Sequence, residues 1–464
     1  MQRIAELHLK DWLGGKRRKP LVIRGARQVG KSTLVRQFAK TNNLVLNEIN
    51  LEQHLELDSI FKTLDVKLIT KELEGLIGRK IVSRDTILFL DEIQATPYAL
   101  QALRYFYEEL PELPVIAAGS LLEFVLAKHN FSMPVGRIQY LHLGPMTFEE
   151  YLAEIENSLL SYIQEYDFTE SIPLTVHKKL LDRQREYLMI GGMPEAVLNY
   201  LDSQQFSDIG PVHRSIISTY QDDFSKYASN NALLRLQRVF NFIPRSVGKK
   251  IKYSNISRDE KARELRSAIE LLSKARVVNQ VFHSHCSGLP LQAEIDEFTY
   301  KALFLDIGLM NRICGLDWLA LSTLDDHRLV NEGSIAEQYI GQHLLYFRGL
   351  SDPPELHYWL RQQKSANAEV DYVISQGNLI VPVEVKAGKS GTLKSLLQFV
   401  YSKNVMMGIR FDLNPPSMQK IVHSLRQADH VREVTFDLIS MPLYLVEQLA
   451  RILDLYRSGS LKHV

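Results

Sequence analysis

Apolar and polar positions change period several times along this 464-residue chain. From about residue 20 to 145, short apolar runs alternate with stretches whose apolar residues recur every three or four positions. That alternation is the signature of a parallel sheet wound with helices. The runs predict strands over Leu21–Ile23, Leu44–Asn47, Thr86–Asp91, Val115–Gly119 and Gln139–Leu143. A short amphipathic helix reaching Trp12 precedes them. From Thr147 to about Phe224 the period is helical throughout, interrupted by a Gly-Gly pair in Tyr187-Leu-Met-Ile-Gly-Gly-Met-Pro-Glu195. Residues 231–330 predict three helices, the last over Asp259–Arg276, then strands at Val277–His283 and Glu297–Asp306. Three helices and a hairpin outline a winged helix. Past a linker around Leu321–Asn331, a helix over Ile335–Leu345 leads to strands at Glu355–Trp359, Val370–Ile374 and Leu379–Lys386. Four units are therefore expected, over 1–146, 147–230, 231–330 and 331–464.

The first strand runs into Gly25-Ala26-Arg27-Gln28-Val29-Gly30-Lys31-Ser32-Thr33, a complete G-x-x-x-x-G-K-[ST] loop opening an amphipathic helix. Glycines let successive N–H groups turn toward phosphate oxygens, and the helix N-terminus adds its positive dipole end. Lys31 is expected to reach the β/γ-phosphates and Ser32 to ligate Mg2+. The cofactors implied are ATP and Mg2+. The apolar strand Ile87-Leu-Phe-Leu90 ends in Asp91-Glu92. In such a fold the first acid orders the metal shell and the second polarises the attacking water. Ser120, ending the run Val115–Gly119, either senses phosphate or caps a helix over Leu121–Ala127, and both roles are compatible. Arg137 has two readings, an arginine finger reaching a γ-phosphate within or between subunits, or a surface arginine.

Near-neutral charge, with 55 basic and 54 acidic side chains, neither requires nor excludes nucleic acid. Two cysteines give no disulfide framework. No apolar run approaches the ~18–20 residues of a membrane helix, and the N-terminus lacks a signal-peptide pattern, so no membrane partner and a cytoplasmic location are expected.

Arg24-Gly-Ala-Arg-Gln-Val-Gly-Lys-Ser, Leu90-Asp-Glu-Ile-Gln94, Ala118-Gly-Ser120, Gly136-Arg137, Gly191-Gly-Met-Pro-Glu195 and Glu369-Val-Asp371 with Glu384-Val-Lys386 together resemble a prokaryotic family of AAA-type ATPases. Its members carry an uncharacterised C-terminal domain. The resemblance covers nearly the whole chain. It implies an ATP-binding, ATP-hydrolysing protein, with a P-loop α/β sheet at the N-terminus and homo-oligomerisation as one option. It places the Gly-Gly-Met-Pro-Glu segment in the accessory domain without giving it a role.

In the last unit, Asp371 precedes Glu384-Val385-Lys386 by thirteen residues, and alternation puts Glu384 and Lys386 on one strand face. With Glu337 on the preceding helix, this order resembles the D…E-x-K core of restriction-endonuclease-like folds. There Asp371 and Glu384 would hold Mg2+ and Lys386 would position water. A scaffold with the same fold and no cleavage, or an edge strand with exposed charges, is the alternative. Arg245, Lys249, Lys250 and Lys252 lead toward Arg258, Lys261, Arg263 and Arg266, a density suited to DNA phosphates. Asp259, Glu260 and Glu264 are interleaved, as on any solvated helix face. Two functions follow: a DNA-associated ATPase controlling a nuclease-like domain, or an ATP-dependent signalling or defence switch that binds a protein partner.

Overall fold

A computed structural model describes residues 1–81, 85–120, 136–225, 230–316, 333–361, 367–386, 388, 392–427 and 430–461. The linker expected at Leu321–Asn331 and the helix expected at Leu121–Ala127 lie outside these residues.

Five strands, β1 (Leu21–Arg24), β2 (Val45–Asn50), β3 (Thr86–Asp91), β4 (Val115–Gly119) and β5 (Gln139–His142), form a parallel sheet in the order β2-β3-β4-β1-β5. Successive side chains take opposite faces of the pleat. Leu21 and Ile23 thus join Ile116, Ala118 and Leu141 over the helix Lys31–Thr41, while Val22 joins Leu88, Leu90 and Ala117 over the helices Val66–Ile77 and Pro97–Glu109. Burial of both faces explains why these strands read as continuous apolar runs. Parallel pairing also brings all five C-terminal ends to one edge. Arg24 lies between Gly119 and His142, and Asn50 lies beside Asp91. This is the P-loop nucleoside-triphosphatase fold.

Five helices follow between Phe148 and Phe224, the first opened by a Thr147/Glu150 capping box. Helices Asn230–Phe242, Tyr253–Ile256 and Ala262–Lys274 then lead into β6 (Val278–Ser284) and β7 (Ile295–Phe304). The two strands pair antiparallel, with Val278 opposite Phe304. They also belong to a larger sheet. β6 pairs in parallel with β8 (His357–Arg361), and β9 (Ala368–Gln376), β10 (Leu379–Val385), β11 (Met407–Asp412), β12 (Ser417–Gln427) and β13 (His430–Pro442) complete eight strands in the order β12-β13-β11-β10-β9-β8-β6-β7. The hairpin read as a wing and the strands of the last unit therefore share one mixed sheet across residue 330. Strand pairing between distant segments leaves no trace in local periodicity, so the sequence shows the strands and not their neighbours.

The two sheets meet at the Gly-Gly break. The helix Leu174–Ile190 stops at Gly191, whose φ is 72°, and Gly192 exchanges backbone contacts on both sides. Met146 N–H, just past β5, donates to Gly192 C=O at 2.6 Å, and Gly192 N–H donates to the buried Asp306 carboxylate at 2.6 Å. A Cβ on Gly192 would overlap the Met146 carbonyl oxygen, and one on Gly191 would overlap Asp306. Asp306 follows β7 and caps the helix Ile307–Ile313 through Leu309 N–H at 3.0 Å. Burial lifts its carboxyl to about 6 against the backbone N–H groups of Gly192, Leu309, Gly308 and Ile307. Around this joint Tyr187 donates to Met146 C=O at 2.6 Å and stacks edge-on against Phe148 and Tyr339. Tyr187, Phe148 and Tyr339 come from three different helices.

Gly192→Ala is expected to lower stability by ~3 kcal/mol, because the obstructing atom is backbone and cannot rotate away. Chemical denaturation checks it; a midpoint unchanged from wild type would contradict the packing described.

Candidate functional site: a phosphate loop and a carboxylate cluster

The phosphate loop lies at the C-terminal edge of the first sheet. Gln28 and Gly30 have φ of 62° and 90°, which turn the backbone before the helix Lys31–Thr41 starts. Lys31 is buried, and its Nζ donates to Ala26 C=O at 2.7 Å and Gly25 C=O at 3.2 Å. Burial lowers its pKa to about 8, with Glu92 and Asp91 opposing that shift. Ser32 Oγ donates to Asp91 Oδ2 at 2.6 Å, bringing together the two residues expected to share Mg2+. Burial raises the Asp91 carboxyl while the Ser32 bond lowers it. A hydroxyl and a carboxylate oxygen this close are the hard oxygen donors that Mg2+ takes. The residues present fit the ion. Glu92 follows with φ of 50°, an unusual conformation for a non-glycine residue. Gln94 Nε2 donates to its Oε2 at 2.5 Å. Ser120 is buried at the tip of β4, beside the start of the loop.

Arg137 stands apart from these groups. The register of β1 with β5 sets Leu21 opposite Gln139 and Arg24 opposite His142. Arg137 therefore precedes β5 at the end of the sheet away from Gly25, about 20 Å along the strand at ~3.3 Å per residue. Its Nε bonds Glu108 at 2.9 Å. It does not reach the phosphate loop of its own chain.

Several contacts to the loop had no signature in the sequence. Arg3 donates to Val29 C=O at 2.9 Å and to Gly144 C=O at 2.8 Å, and pairs with Glu150 at 2.9 Å. Tyr220 OH donates to Arg27 C=O at 2.5 Å, and Asp223 pairs with the Arg27 guanidinium. Pro194, in the Gly-Gly-Met-Pro segment, packs beside Gly30. These partners lie 26 to 196 residues apart in the chain (Arg27 to Asp223 is 223 − 27), beyond any local pattern. Gln94 lies within Leu90-Asp-Glu-Ile-Gln94, but nothing in that run of residues signals its bond to Glu92.

In the second sheet, Glu337, Asp371, Glu384 and Lys386 come together as their order implied. Val383 pairs with Tyr372, so Asp371 and Glu384 lie one step beyond on neighbouring strands. Asp371 Oδ2 accepts from Val385 N–H at 2.8 Å, and Lys386 pairs with Glu384. Two further residues enter. The buried Lys301 of β7 reaches Glu337 at 3.4 Å and Asp371 at 3.9 Å, and pairs closely with Glu369. Burial works against its charge, but Glu337, Asp371 and Glu369 hold its pKa above the usual lysine value. Four carboxylates thus face two ammonium groups. Burial, then the charge of Asp371, pushes Glu337 up to about 7 and Glu384 up to about 8. Glu384 Oε2 is buried without a hydrogen-bond partner among the described residues. The same residues hold no group of three His, Cys, Asp or Glu side chains arranged to bind a metal ion. Lys301 supplies the cation at the centre of the cluster.

Residues 17–152 match the family model described as an AAA domain. Residues 181–320 and 332–436 match two models described as domains of unknown function, DUF8612 and DUF4143. No curated protein matches. Among solved structures, the chain is similar to the Aeropyrum pernix ORC1 protein in complex with DNA, at 14% identity over 68% of this chain and 92% of that one, with a TM-score of 0.26. It is similar to the Thermotoga maritima RuvB Holliday junction branch migration motor, at 14% identity over 59% and 85%, with a TM-score of 0.26. It is also similar to C. elegans PCH-2, at 12% identity over 44% and 60%, with a TM-score of 0.24; the chain spans 60% of that protein. The superpositions are loose, and the fold rests on the sheet order and the phosphate loop. No described helix is long and apolar enough to cross a membrane.

The lowered pKa of Lys31 has a sign that can be worked out. Phosphate oxygens restore the charged form, so the bound pKa exceeds the free value of about 8. Nucleotide affinity is then full below pH 8 and falls as pH rises past it, with proton uptake on binding. Calorimetry in buffers of different ionisation enthalpy checks this; affinity flat from pH 7 to 9.5 would contradict it.

Proposed function

We propose that the chain is an ATP-hydrolysing AAA-type protein that associates with DNA, its nucleotide state acting on a nuclease-like second sheet. One observation carries the ATPase reading: the Ser32–Asp91 bond at 2.6 Å, beside a buried Lys31 and immediately before Glu92. Lys31 would exchange its bonds to Gly25 and Ala26 for phosphate oxygens. Ser32 and Asp91 would hold Mg2+, whose chemistry when bound is to neutralise phosphate charge. Glu92 would accept a proton from the attacking water, once its carboxylate turns from Gln94. Arg137 would serve only the phosphates of a neighbouring copy, so a finger role for it requires a homo-oligomer.

Support for DNA comes from the way acids are used around the basic residues. Arg235 takes up both Glu260 and Glu264 at 2.7 Å, leaving Arg245, Lys249, Lys252, Arg258, Lys261 and Arg263 exposed. That face borders the second cluster, since Gly248 abuts the Glu337 carboxylate. Phosphate-bound DNA would therefore pass close to Asp371, Glu384 and Lys386. The position of Lys301 favours a second reading. A resident ammonium among these carboxylates suits a scaffold that recognises a protein partner in an ATP-dependent switch and cuts nothing.

Glu92→Gln is expected to keep ATP affinity within about twofold and to lower turnover by ~10²-fold or more. Lys31→Ala should remove nucleotide binding. Steady-state ATPase assays and labelled-ATP binding check both, and unchanged turnover in the Gln variant would exclude Glu92 as the base. For the second sheet, Asp371→Ala should abolish Mg2+- or Mn2+-dependent DNA cleavage and spare ATPase activity. A wild type that neither cuts nor binds DNA at low salt decides for the switch.

A further inference from the structure

A cavity of about 360 Å3 lies behind the Gly-Gly break, between the first half of the helix Phe206–Phe224 and the helix Ile307–Ile313. Met189, Phe206, Ile209, Pro211 and Leu316 give it apolar walls. Its polar groups are few and convergent. Arg214 and Arg312 both enter it, with their Nη1 atoms 3.7 and 3.8 Å from the point a Cβ on Gly210 would occupy. The two guanidinium groups thus share one side of the cavity. Neither makes an ion pair among the described residues, in a protein where Arg3, Arg27, Arg36, Arg183 and Arg235 all do.

Asn311 also lines the cavity and is 1% exposed. Its Nδ2 donates to Leu188 C=O at 2.8 Å, while its Oδ1 is buried with no partner among the described residues. The neighbouring His213 donates from Nε2 to Ile190 C=O at 2.9 Å. Arg214 is exposed and Arg312 half-buried, so water screens them in part; the two adjacent cations still repel, and the buried Asn311 Oδ1 is an orphaned acceptor. A dianion between the guanidinium forks answers the first, because tetrahedral phosphate offers oxygens to both. A donor on the same molecule answers the second.

We propose that this cavity binds a small phosphomonoester. Its phosphate would lie between Arg214 and Arg312, its ring or aliphatic body against Phe206, Ile209 and Leu316, and a ligand N–H or O–H would donate to Asn311 Oδ1. Neither Lys31 nor the Lys301 cluster takes part. The site's inner wall, Leu188 to Ile190, runs directly into the Gly191-Gly192 turn beside the phosphate loop.

Phenyl phosphate is a probe with the required headgroup and an apolar ring. It is titrated calorimetrically into the full chain, with Mg2+-ADP saturating the phosphate loop. One equivalent should bind. Arg214→Ala and Arg312→Ala should each weaken it ~10-fold or more, and Arg312→Lys less. Inorganic phosphate alone should bind more weakly than the probe. The double alanine variant must melt and bind ADP as wild type does, which separates loss of the site from loss of the fold. Equal probe affinity in that variant, absence of binding to wild type, or equal affinity for inorganic phosphate would each overturn the proposal.

Discussion

The structure depends on one close approach of backbone to backbone. Gly192 accepts from Met146, at the end of the first sheet, and donates to Asp306, at the end of β7 in the second. A Cβ on Gly192 would overlap the Met146 carbonyl and one on Gly191 would overlap Asp306, whose carboxylate is wholly buried. From that point Pro194 reaches Gly30 of the phosphate loop, and β7 runs back to Lys301 in the carboxylate cluster. Two charged sites are therefore joined through the buried Gly192–Asp306 contact. An unpaired carboxylate at Asp306 would be costly there, which is why four backbone N–H groups converge on it.

The two sites solve the same electrostatic difficulty differently. Around the phosphate loop a single buried ammonium, Lys31, rests on its own loop carbonyls and is only partly compensated by Asp91 and Glu92. It gains when phosphate arrives. In the second sheet an ammonium is already matched by three carboxylates, and the excess negative charge is met by raised proton affinities at Glu337 and Glu384. The first arrangement is poised for an anion. The second is nearly neutralised by its own chain.

Much of this is legible in the sequence. The five parallel strands fall within a few residues of the apolar runs, because burial on both faces writes itself into each strand as continuous hydrophobicity. The loop Gly25–Thr33 and the pair Asp91-Glu92 were readable because their chemistry requires those types at those spacings. The grouping of Glu337, Asp371, Glu384 and Lys386 is legible in part, since strand alternation alone aligns Glu384 and Lys386. Missing were Arg3, Tyr220 and Asp223 on the phosphate loop, Gln94 on Glu92, and Lys301 with Glu369 in the cluster. In the sequence Lys301 is one more polar residue within the predicted strand Glu297–Asp306.

The sequence by itself determined the local pieces: which segments are strands or helices, where the phosphate loop turns, and which acids stand at a strand tip. These follow from the covalent chain and from periodicities of two and 3.6 residues. Only the tertiary structure decided that the hairpin and the last strands share one sheet, that Arg137 lies at the far end from its own phosphate loop, and that Lys301 fills the carboxylate cluster. It also gave the Gly-Gly break its meaning. Each depends on which distant segments bury one another, and the free energy of that choice belongs to the packed whole, not to any window of residues.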